Sequence, residues 1–187
     1  MVDDLKKANE VLRKGGVILY PTDTIWGIGC DATCEDAVKR VYEIKRRSDT
    51  KAMLTLLDST SRLERYINDL PDIAYDLIEC SDKPLTIIYS GAKNLAQNLI
   101  ASDGTIGIRI TNEEFSQKLC RQFGKPIVST SANFSDEPAP SNFSEINSEI
   151  LRLVDYVVNY RRDDTAKSKP SSIIRLENNG VIKIIRE

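Results

Sequence analysis

The sequence predicts an α/β domain with a mixed sheet, and three observations carry that prediction. Apolar runs of strand length alternate with segments whose apolar residues recur at helical spacing. The chain then closes on two alternating stretches, Ser172–Leu176 and Val181–Ile185, around Asn178-Asn179-Gly180, which is hairpin chemistry. At 187 residues, 41% apolar and 29% charged, the chain is long enough to bury one ordinary core.

Taken in order, the first helix lies over 3–14, with Leu5, Ala8, Val11 and Leu12 on one side and Gly15-Gly16 at its end. Val17–Tyr20 reads as a buried strand. A turn rich in hydroxyls and glycine follows, Pro21-Thr22-Asp23-Thr24 and then Gly27 and Gly29. Thr33 suits the N-cap of the next helix, whose inward face holds Ala37, Val38, Val41, Tyr42 and Lys45. A lysine on an inward face is costly unless an anion meets it. Ala52–Leu57 is a strand, two short helices are expected over 62–67 and 73–80, and Pro84–Tyr89 is a strand again.

Ile106–Ile110 is a strand in which Arg109 faces away from Ile108 and Ile110. Asn112 is expected to cap a helix carrying Phe115, Leu119, Cys120 and Phe123 on one side, with Gly124 at its end. Ile127-Val128 forms the core of the next strand. A loop over 134–143, a helix near 144–153 and the strand Tyr156–Asn159 come next. The charged, aperiodic stretch 160–170 reads as a mobile loop and a candidate lid. There is no internal repeat.

Composition removes several chemistries. The histidine count is zero, so no histidine can serve as general base, in a nucleophilic triad or as a zinc ligand. Cys30, Cys34, Cys80 and Cys120 do not complete a metal set and read as reduced thiols; no metal site is assigned. Net charge is -2, so any affinity for phosphate must come from a local patch. The polar N-terminus and the lack of a membrane-length apolar run lead us to expect a cytoplasmic protein with no membrane partner.

Two stretches point to a small anionic ligand. The first ends in Lys45, Arg46, Arg47 and Lys51, which reads as a phosphate clamp or as the solvated end of a helix. The second is Ser129-Thr130-Ser131-Ala132-Asn133 after a buried strand, a cradle of donors or simply turn chemistry. Arg109 is a candidate carboxylate or phosphate partner. There is no Walker A sequence, and Gly27 and Gly29 lack the third glycine of a dinucleotide fingerprint.

In order and spacing, GGVILYPTDTIWGIGCDA, EIKRR, GKPIVSTSAN, KPSSIIRL and the terminal IIRE resemble the YrdC family, and within it the short threonylcarbamoyl-AMP synthases of the TsaC type. The resemblance covers nearly the whole chain, so residues 1–187 are expected to form one YrdC-like domain. It implies a twisted mixed β-sheet with flanking helices around a positively charged cleft. It further implies that L-threonine, bicarbonate and ATP, the last with Mg2+, give threonylcarbamoyl-adenylate and pyrophosphate. That is the first step toward the t6A base of tRNA, with downstream t6A-transfer proteins and weak tRNA binding as implied partners.

Position by position, the resemblance assigns ATP to Lys45, Arg47, Lys51, Thr105, Ser131, Asn133, Ala139 and Arg186. It assigns L-threonine to Thr24, Leu56, Arg109, Ser129 and Ser171, and makes Lys45 and Arg47 the catalytic pair. This sequence departs from the family pattern at Ser81-Asp82-Lys83, Ser48, Ala52, Thr111 and Arg175. Two other classes fit a positive cleft: an RNA-binding module, and a HypF-like carbamoyl-transfer accessory domain.

Overall fold

The structure, a computed structural model, describes residues 1–47, 53–167 and 169–187. It shows an α/β architecture on a mixed nine-stranded sheet. In chain order the strands are β1 (Ile18–Tyr20), β2 (Gly27–Gly29), β3 (Leu54–Leu57), β4 (Leu85–Tyr89), β5 (Ile106–Ile110), β6 (Ile127–Ser131), β7 (Tyr156–Val157), β8 (Ser172–Leu176) and β9 (Ile182–Arg186). In space they run β7-β1-β2-β6-β3-β5-β4-β8-β9. The pairs β1–β7, β3–β5 and β4–β8 are parallel, and the other neighbours are antiparallel.

The helices are α1 (Val2–Arg13), α2 (Glu35–Ile44), α3 (Ile73–Glu79), α4 (Glu114–Phe123) and α5 (Ser148–Leu153). Helices α1 and α4 pack on each other and against β1, β7 and β3. Their apolar stripes, Leu5, Ala8 and Leu12 with Phe115, Leu119 and Phe123, are buried together with the strand residues in one core. Gly124, at φ 80, ends α4 in the left-handed conformation that glycine adopts without a Cβ clash.

Four local readings change. The turn after Tyr20 contains a strand, β2, because Gly27-Ile28-Gly29 pairs with both β1 and β6. A Cβ on Gly29 would stand 2.5 Å from the Val128 carbonyl and 2.6 Å from the Tyr20 ring, so only glycine fits between those strands. The hydroxyl run Ser129–Ser131 belongs to β6 itself rather than to a turn. Residues 60–65 form a 3-10 helix, and α5 starts only at Ser148.

The caps differ as well. Cys34, not Thr33, precedes α2, because the Thr33 hydroxyl and amide are both committed to Asp31 Oδ1, at 2.7 and 2.8 Å. Glu113, not Asn112, caps α4 by accepting the Ser116 amide. Within 160–170, the part nearest Tyr160 is pinned. Arg162 donates to the carbonyls of Val157 and Val158, and Arg161 pairs with Asp164 and Glu113.

Candidate active site

The central strands open a cleft of about 300 Å³ on the sheet. Its floor is made where β2, β6, β3 and β5 lie side by side. Register explains which residues reach it. Leu54 pairs with Gly107 on one side and with Ser129 on the other, and Leu56 pairs with Arg109. Gly27 pairs with Ser131, and a Cβ there would stand 3.1 Å from Ser129 Oγ, so its bare backbone leaves room above the serine.

Arg109 is the most deeply buried arginine of the cleft. It sits in β5, 3% exposed. Its Nε lies 3.0 Å from Asp23 Oδ1 as an ion pair, and its Nη2 donates to Thr24 Oγ1 at 3.3 Å. Burial pushes the Asp23 carboxyl up, and the guanidinium partly offsets that. Burial likewise lowers Arg109, with Asp23 and the Tyr20 ring opposing. The Pro21–Thr24 turn is stiffened by Thr22 Oγ1, which donates to the Ile25 carbonyl at 2.8 Å and accepts the Thr24 amide at 3.1 Å. Thr24, Arg109 and Ser129 are thus buried hydroxyl and guanidinium groups of the cleft.

The rest of the polar lining is built from three separate segments. Arg47 enters just past α2, with its pKa lowered by burial. Ser131 ends β6, and Ala139 comes from the loop that follows. Arg186 reaches in from β9, donating from Nη2 and Nε to the Ser171 carbonyl at 2.7 and 3.0 Å. Ser171 is itself buried, its hydroxyl 2.8 Å from that of Thr86. Among the described residues the cleft is lined by three arginines and by no carboxylate.

Of the residues proposed from the sequence, Thr24, Arg47, Arg109, Ser129, Ser131, Ala139, Ser171 and Arg186 therefore meet in one cleft. Four others lie behind or beside it. Lys45 is 1% exposed, and its Nζ donates to the carbonyls of Ser131 and Asn133 at 2.6 and 2.7 Å. Asn133 accepts from Lys45 and donates its amide to the Glu137 carbonyl at 2.6 Å. Leu56 is fully buried in the core, and Leu54 and Met53 line the cleft from that strand. Thr105 precedes β5 and donates its hydroxyl to Asp103 Oδ1 at 2.6 Å. Lys51 lies outside the described residues.

The apolar wall was not singled out from the sequence. Trp26, the only tryptophan, lines the cleft and packs at 4.8 Å on Phe143, with Ile25, Pro170 and Ile173 completing the wall. A lone tryptophan inside a hydroxyl-rich turn was the available signal. Among the described residues no group of three acids or cysteines is placed to hold a metal ion, and no helix is long and apolar enough to cross a membrane.

Sheet order and cleft define a class: an α/β domain whose central strands present hydroxyls and arginines to one cleft. The chain belongs to the Sua5/YciO/YrdC family, whose model, described as "Telomere recombination", matches residues 10–187. It is 35% identical over 150 residues to a threonylcarbamoyl-AMP synthase of Pseudoalteromonas translucida, covering 79% of this chain and 80% of the relative. It is 33% identical over 169 residues to the same-named protein of Stenotrophomonas maltophilia, covering 89% and 91%. The structure of E. coli YciO superposes with a TM-score of 0.84 at 27% identity, covering 98% of this chain and 88% of that one. P. abyssi Sua5 complexed with L-threonine superposes at 0.82 and 24% identity, which shows a common fold; this chain covers 50% of that protein.

Proposed function

We propose that this protein makes L-threonylcarbamoyl-AMP from L-threonine, bicarbonate and ATP, releasing pyrophosphate, as the first step of t6A formation on tRNA. The observation that carries the reading is one cleft lined by Arg47, Arg109 and Arg186 together with the hydroxyls of Thr24, Ser129, Ser131 and Ser171. Relatives at 33 to 35% identity bear the synthase name, and P. abyssi Sua5 of the same fold was crystallised with L-threonine.

In this reading the Arg109 guanidinium takes the threonine carboxylate. Its Nε faces Asp23 as an ion pair and its Nη2 donates to Thr24. Ser129 and Ser171 border the same substrate, and the Trp26 wall suits its methyl and the adenosine. Arg47, Arg186 and Lys51 hold the triphosphate, which brings its own Mg2+. The threonine amine joins the bicarbonate carbon with loss of water to give a carbamate; a carbamate oxygen attacks the α-phosphorus, the bond from that phosphorus to the bridging α,β-oxygen breaks, and the arginines neutralise the departing pyrophosphate. The class of enzyme is thus a nucleotidyltransferase, working in the cytoplasm beside the proteins that pass the product to tRNA.

The test is pyrophosphate release from ATP, Mg2+ and bicarbonate, with L-threonine, with L-serine, and with neither. Release that depends on threonine is expected. Folded protein with no threonine-dependent release, but with salt-sensitive RNA binding, overturns the reading in favour of an RNA-binding module.

A further inference from the structure

We propose that Lys45 is a positioning residue: it holds the loop leaving β6, and with it Ser131, at a set distance from Arg47, without touching the anion itself. This deepens the reading above and rests on it for the identity of the ligand.

The last turn of α2 sends three consecutive cations to three destinations. The Arg46 amide bonds to the Glu43 carbonyl and the Arg47 amide to the Tyr42 carbonyl, a Schellman closure. Its left-handed position is Arg46, at φ 50, where a glycine would be less strained. That turn points Lys45 inward, lays Arg46 over the Phe134 ring at 4.1 Å and against Glu149 at 2.5 Å, and delivers Arg47 to the cleft. The same turn grips the loop through the backbone, since the Ser135 amide donates to the Lys45 carbonyl at 2.9 Å.

The Lys45 side chain completes this grip. An ammonium has three donors. Here three oxygens meet it, the carbonyls of Ser131 and Asn133 at 2.6 and 2.7 Å and Asn133 Oδ1 at 3.4 Å. A phosphate contact would cost one of these bonds and expose a buried carbonyl. Converging carbonyls also repel an anion, and an ammonium seated between them offsets their dipoles beside the place where phosphates would lie. Lys45 therefore acts on the ligand through Ser131 and the loop.

Two variants and two probes decide the matter. Lys45→Met keeps the stem and removes the donors; Lys45→Gln keeps two donors without charge. We expect Lys45→Met to weaken ATP and AMP binding by the same factor, roughly 10- to 100-fold. We expect amide exchange over residues 132–135 to accelerate at least about tenfold, with Lys45→Gln recovering part of both. Weaker ATP binding with AMP binding and exchange unchanged would mean direct contact with the outer phosphates and would overturn the proposal. Should Lys45→Met not fold, the exchange rate in Lys45→Gln relative to wild type decides in the same sense. Exchange does not depend on the ligand. A wild-type protein that binds neither nucleotide, with faster exchange in the variants, would sink the synthase reading and leave the clamp standing. Unchanged exchange in both variants overturns the clamp whatever binds.

Discussion

Arg109 and Arg186 are the same residue type facing the same cleft, and the fold treats them in opposite ways. Arg109 is on a central strand, flanked by β3 and β4, 3% exposed and ion-paired with Asp23, whose side chain is 11% exposed. Arg186 ends the edge strand β9, whose residues are all exposed, and leans on a single carbonyl. A cation in the sheet centre must be balanced or it destabilises the core, whereas one at the edge stays hydrated and costs little. Site and scaffold are thus one structure at Arg109 and separable at Arg186.

Replacing Arg109 with Ala should have the largest effect. Turnover should fall roughly 100-fold or more, and urea denaturation should show a loss of about 3 kcal/mol because Asp23 is left largely buried without its cation. Arg109→Lys should rescue neither, since only the planar guanidinium reaches Asp23 and Thr24 together. If Arg109→Ala were inactive yet fully stable, the contrast between the two arginines would fail.

Arg47→Ala comes next, with a roughly 100-fold loss of kcat/KM for ATP and little change in melting temperature. Arg186→Ala should raise KM for ATP about tenfold and leave stability within about 0.5 kcal/mol, the usual range for surface changes. An Arg186→Ala protein as unstable as Arg109→Ala would show that the hairpin is part of the core.

The remaining effect is a pH dependence. Burial, with Arg47 nearby, lowers Lys45 from 10.5 to about 7. Between those values the unfolded chain binds a proton that the folded protein does not, so stability should rise with pH, at a limiting slope of about 1.4 kcal/mol per unit, while the neutral amine keeps two N–H donors for the Ser131 and Asn133 carbonyls. Denaturant midpoints of wild type and Lys45→Met across pH 7.5 to 9.5 would reveal it; parallel curves would mean that the carbonyls keep the ammonium charged throughout.

The long amphipathic segments were legible because their physics is local. The stripes of α1, α2 and α4 and the hairpin about Gly180, at φ 83, follow from spacing and turn chemistry. The boundaries that slipped did so for non-local reasons. Gly27-Ile28-Gly29 has no strand propensity worth noting and becomes β2 only because β1 and β6 close on either side. Thr33 lost its capping role to Asp31, which also holds Lys125 at 2.7 Å from across the fold.

The sequence alone determined the class of fold, the exclusion of histidine chemistry and the residue types of the cleft, because periodicity and composition are properties of the chain. Tertiary structure alone decided which of those residues face one another. Lys45 and Arg47 part at the left-handed Arg46 between them, one into a cage of carbonyls and one into the cleft. Arg109 meets Asp23 across a separation that no local pattern encodes, since burial has a cost only when the chain has folded and that cost selects the partner.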